Sequence, residues 1–63
     1  MKAADLNRIK KCRNYIKNIQ MLLDGIKWES VSTVEWDLVG KAHDSAQELG
    51  WRLGDIETIA GNQ

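Results

Sequence analysis

Apolar side chains recur along this chain at alternating intervals of three and four residues. One stripe runs Ile9, Cys12, Ile16, Ile19, Leu23, Ile26, and a second runs Val39, Ala42, Ala46, Leu49, Leu53, Ile56, Ala60. That spacing averages about 3.5 residues, the period of an a/d helical seam. Such a seam leaves water only when another helix covers it. The pattern predicts a mainly α fold in one domain. Two amphipathic helices, at about 3–24 and about 33–60, are joined by a linker or short strand at about 26–31.

Local signals set the boundaries. Asp24-Gly25 marks the first stop. Glycine suits the left-handed position that closes many helices, and this ending predicts that Ile26 folds back onto Met21. In the link, Ile26 and Trp28 alternate with Lys27 and Glu29, which is the period of a strand. A lone strand needs a partner. None other is predicted in the chain, so the partner strand is expected from a second copy. Ser32-Thr33-Val34-Glu35 is a capping box, with Ser32 and Glu35 as the paired caps and Val31 and Trp36 placed as a hydrophobic staple. Gly61 is the expected second stop, leaving Asn62-Gln63 as a short tail.

The apolar positions exceed what one hairpin covers. Leu6, Tyr15 and Leu22 flank the first seam, and Trp36 and Trp51 lie off the second. Exposed apolar patches above a few hundred Å² usually mark interfaces. Trp51 and Tyr15 are therefore the candidate partner-facing residues. Gly40, Gly50 and Gly54 fall inside the second helix, where each costs about 1 kcal/mol relative to alanine. Ala42, Ala46, Gly50 and Gly54 follow at intervals of four, a row of small residues that admits close approach of another helix. Gly50 and Gly54 are the candidate close-packing pair. The expected assembly is an intertwined homodimer whose core contains the two seams.

Composition narrows the chemistry. A chain of 63 residues buries only about 60% of its unfolded surface and needs reinforcement. One cysteine and one histidine exclude an intrachain disulfide and fall short of the four ligands of a structural zinc site. Cys12 sits on a seam with no orienting group for a Cys12–His43 pair, and no phosphate loop or cofactor-binding lysine context accompanies it. The chain reads as a non-enzyme with no cofactor and no metal. Its longest apolar run is Met21-Leu22-Leu23, so neither a leader nor a membrane span is expected. A lone cysteine fits a reducing compartment, and the expected location is the cytoplasm.

A net charge of zero conceals an asymmetry. Residues 1–25 carry six basic and two acidic side chains, +4, and residues 26–63 carry three basic and seven acidic, −4. Arg8, Lys10, Lys11, Arg13 and Lys17 make the outer face of the first helix basic. An alternative reading makes that face a nucleic-acid contact. No aromatic platform is interleaved with these charges in the sequence, so nucleic acid stands second to a protein partner.

Three stretches carry a likeness: Met1-Lys2-Ala3-Ala4-Asp5-Leu6-Asn7-Arg8-Ile9-Lys10, Ile26-Lys27-Trp28-Glu29, and Glu48-Leu49-Gly50-Trp51-Arg52-Leu53-Gly54. With them the whole chain resembles the small early proteins encoded between the exonuclease and excisionase genes of lambdoid temperate phages. The resemblance implies a non-catalytic early protein of the infected bacterial cytoplasm that favours lytic development over lysogeny. It also implies a homodimer with two helices and one strand per chain, acting on an unknown host or phage protein.

Overall fold

The computed structural model describes residues 1–61. Helix α1 spans Ala3–Asp24, a single 3-10 turn covers Trp28–Ser30, and helix α2 spans Thr33–Gly61. The two helices pack against each other within one chain and run antiparallel. As α1 positions fall from Asp24 to Arg13, their ion-pair partners on α2 rise from His43 to Glu57. The molecule measures 47 × 14 × 11 Å, and the described residues form a single two-helix hairpin. The tail Asn62-Gln63 lies outside the described residues.

Each junction is closed by local hydrogen bonds. Gly25 does not take the left-handed conformation expected of it, having φ −77° and ψ −12°. Its amide instead donates to both the Met21 and Leu22 carbonyls at 3.2 Å, and the Ile26 amide donates to Leu23 at 3.1 Å. Tightening the last turn in this way engages the Met21, Leu22 and Leu23 carbonyls without positive φ. Met21 remains exposed. The link is not a strand, and no strand occurs among the described residues. The Ser30 amide and hydroxyl both donate to the Lys27 carbonyl, at 3.0 and 2.8 Å. A lone strand would leave its ladder groups unpaired, whereas the 3-10 turn pairs them locally.

At the start of α2, the Glu35 amide donates to Ser32 Oγ at 3.1 Å, and the Ser32 amide donates to Glu35 Oε1 at 2.8 Å. The bond from the Ser32 amide, then that with its hydroxyl, holds the Glu35 carboxyl below its ordinary value of 4.5. Val31 and Trp36 line one shallow recess beside Trp28.

The packed faces are rotated from the sequence-predicted seams. On α1 the buried or half-buried positions are Leu6, Ile9, Arg13, Ile16, Gln20 and Leu23, while Cys12 and Ile19 are exposed. On α2 they include Val39, His43, Ala46, Gly50, Leu53, Glu57 and Ala60, while Ala42 and Leu49 are exposed. Both sets keep the three-four alternation, but each admits two polar residues. Ile26 and Ile56 are half-buried. Among the described residues only Ile16 is truly enclosed, at 6% exposure. It lies over Gly50, where a β-carbon would sit 3.7 Å from Ile16 Cγ2, and Gly54 faces the Arg13 guanidinium.

That separation is ordinary van der Waals contact, so the hairpin needs a small residue at 50 rather than glycine in particular. Gly50→Ala is expected to raise thermal stability by up to about 1 kcal/mol through helix propensity. Gly50→Leu is expected to lower it by about 1–3 kcal/mol through overpacking. Thermal melts followed by circular dichroism distinguish these outcomes, and an equal loss in both variants would refute the packing account.

The cap gives a second expectation. Ser32→Ala should cost about 1 kcal/mol. Because the folded Glu35 carboxyl titrates below its unfolded value, its contribution is present above about pH 4.5. That contribution is lost as pH falls through the lower, folded value. Glu35→Gln should therefore flatten the acid limb of the stability–pH curve. An acid limb identical to that of the unsubstituted chain would contradict this linkage.

Candidate functional site

The rotated packing divides the hairpin into two unlike faces. On one, an open cleft of about 330 Å³ runs between the helices. Arg13, Lys17, Gln20 and Asp24 supply its α1 wall, and His43, Gln47 and Trp51 its α2 wall, over a floor of Ile16 and Gly50. Arg13 donates to the Glu57 carboxylate across the helices, and Glu57 retains only 16% side-chain exposure. His43 Nε2 lies 3.3 Å from Asp24 Oδ1. Asp24 occupies the last turn of α1, where the dipole disfavours negative charge. The His43 imidazole is its neighbour across the helices there.

Positions on the other side of each helix form the opposite face. At about 100° per residue, Cys12, Tyr15, Ile19 and Leu22 lie together on α1, away from Arg13, Lys17 and Gln20. Leu38, Ala42 and Leu49 lie together on α2, away from His43, Gln47 and Trp51. Since the cleft joins the second set on each helix, the first sets share the reverse face. It is apolar and open: Ile19 and Leu49 are 48% and 49% exposed, Tyr15 66%, and Leu22 75%.

The candidate residues thus fall into five groups. Ile16 with Gly50, and Arg13 with Gly54, make the close helix contact. Ile9, Leu23, Ile26, Val39, Ala46, Leu53 and Ile56 are half-buried beside it. Cys12, Ile19, Ala42 and Leu49 stand open on the apolar face. Tyr15 and Trp51 are exposed on opposite faces, and Ser32 and Glu35 serve the helix start. Sequence reasoning missed Arg13, Gln20, His43 and Glu57 between the helices. Their signal was present in the runs 6-9-13-16-20-23 and 39-43-46-50-53-57-60, which keep helical spacing but are interrupted by polar residues.

Cys12 is exposed on the apolar face, whereas His43 borders the cleft. The two are not brought together as a nucleophile and base. Among the described residues no group of three or more histidine, cysteine, aspartate or glutamate side chains could hold a metal ion. No helix among them is long and apolar enough to cross a membrane. Trp51 lies in the same cleft as Arg13 and Lys17, so an aromatic ring does accompany the basic helix in space. Comparison with known proteins finds no family model, no curated protein and no solved structure that matches this chain.

Proposed function

We propose that this chain is a non-enzymatic helical interaction module. It forms a homodimer through the apolar reverse face and acts by binding a host or phage protein in the bacterial cytoplasm. As its resemblance implies, it serves as a phage early protein that promotes lytic development. The observation that carries the association is surface area. A folded monomer of 7.2 kDa is expected to expose about 4,100 Å². This chain exposes 5172 Å². The excess, about 1,000 Å², is close to the ~800 Å² that each partner hides in a standard stable interface.

Tyr15, Ile19, Leu22, Leu38 and Leu49 supply much of the exposed apolar area on that face. Two hairpins set face to face would enclose it as a four-helix bundle, with the sequence seams as its inner lining. The lytic role rests on the resemblance alone.

Sedimentation equilibrium at micromolar concentration is expected to give twice the 7.2 kDa chain mass. The thermal midpoint should rise with protein concentration. Ile19→Glu with Leu49→Glu should abolish both effects. A chain that sediments as a monomer with a concentration-independent midpoint would overturn the association. Expression of the chain in a lysogenic bacterium should raise phage release, and unchanged release would remove the lytic role.

A further inference from the structure

We propose that the recess beside Gly40, at the link end of the cleft, receives an arginine side chain from a basic segment of a partner protein. This inference rests on reading the chain as an interaction module and specifies the chemistry of the partner. The recess holds about 300 Å³ and shares Asp24 and His43 with the cleft. Trp36, Gly40 and Asp44 line it with them, together with an apolar side chain from each helix.

Gly40 is the first support. Glycine inside a helix is unfavourable and usually has a packing or functional reason. Gly50 and Gly54 have theirs within the hairpin, since α1 side-chain atoms lie 3.7 Å from where their β-carbons would sit. At Gly40 a β-carbon would meet nothing within 4 Å. Around α2, Gly40 stands about 160–180° from Leu38 and Leu49, so a dimer closed through the reverse face does not cover it either. The space left by the missing side chain opens on the recess, where only a group from outside the chain can use it.

Charge identifies that group. The charged side chains lining the recess are the carboxylates of Asp24 and Asp44, beside His43, which is charged only if protonated. Among the described residues no ion pair engages Asp44. Asp24 has His43 alone and keeps 70% side-chain exposure, at a helix end that favours a cation. The basic side chains nearby do not neutralise them. Lys41 pairs with Asp37 at 3.0 Å, Lys17 lines the cleft about 10 Å of helix before Asp24, and Lys27 lies outside the lining. Trp36 adds a partly exposed indole. A guanidinium stacks on an indole and matches a carboxylate with its planar fork, and an ammonium does so less well. The volume, at the lower limit of small-molecule sites, suits one or two side chains. The same carboxylates repel a phosphate backbone. The described residues also offer no group of three ligands for a metal ion.

Calorimetry on the unsubstituted chain, at low and at physiological salt, would compare four probes. These are a twelve-residue arginine–alanine peptide, lysine–alanine and glutamate–alanine peptides of equal length, and a twelve-nucleotide oligothymidine. The arginine peptide should saturate, and bind at least five-fold tighter than the lysine peptide and ten-fold tighter than the other two. Asp44→Asn should weaken it at least three-fold. Gly40→Leu fills the recess and should weaken it at least ten-fold, yet melt no lower than the unsubstituted chain. Equal binding of the two basic peptides, absence of saturation or indifference to either substitution would overturn the proposal. A lower melting point for Gly40→Leu would also overturn it, by placing the reason for glycine inside the fold. Light scattering on the same samples separates the two readings. A dimer that ignores the arginine peptide refutes the recess assignment alone, and a monomer that binds it refutes the association alone. Growth beyond the dimer that Gly40→Leu stops would give the recess to a second copy and overturn the partner.

Discussion

Everything in this hairpin depends on how closely two helices approach where Ile16 lies over Gly50. That contact encloses Ile16, the one truly buried side chain among the described residues. Gly50 and Gly54 let the Ile16 and Arg13 side chains lie close beside the α2 backbone. The resulting gain in dispersion contact is local. It fixes the register, and the Arg13–Glu57 and His43–Asp24 pairs follow from that register on either side. The arrangement has a cost in apolar coverage. A narrow contact made by small residues cannot also hide Ile19, Leu22, Leu38 and Leu49. Close approach within the hairpin and exposure of the reverse face are two results of one geometry.

The helix–link–helix plan was legible because three-four periodicity, Ser32–Glu35 capping chemistry and Gly25 are all local signals. The face each helix buries was not. A pattern search rewards uninterrupted apolar stripes, and Cys12–Ile19 with Ala42–Leu49 scores better than Arg13–Gln20 with His43–Glu57. The hairpin nevertheless packs the latter, because their small and pairable members let the backbones come together while their polar atoms reach partners or the open cleft. The stripes read from sequence and those packed in the chain share Ile9, Ile16, Leu23, Val39, Ala46, Leu53 and Ala60. The two sets therefore diverge to either side of one shared line.

The link shows the same limit differently. Alternation of Ile26 and Trp28 with Lys27 and Glu29 is the correct period for a strand, but period alone does not supply a ladder partner. Within one chain, i to i+3 bonds at Lys27 and Trp28 satisfy the backbone at once. At Gly25, likewise, the last turn of α1 tightens before a left-handed residue is required. In both places a local hydrogen bond displaced the motif that composition favoured. Neither outcome is visible from residue identity, since the competing conformations use the same side chains.

The separation of the two faces matters for what an assembly of this chain can do. Trp51, Lys17 and Arg13 lie on the side of the helix line opposite Tyr15, Ile19 and Leu49. A dimer closed through the latter carries two clefts facing outward, related by its two-fold axis. A partner with two binding segments would then meet both clefts at once. Its second contact would be intramolecular and strengthened by effective concentration rather than by new chemistry. A monomer exposing the apolar face would lose that gain even with each cleft intact. Association and partner capture would thus be coupled energetically without sharing a residue, and substitutions at Ile19 and Trp51 should act on different measurable quantities.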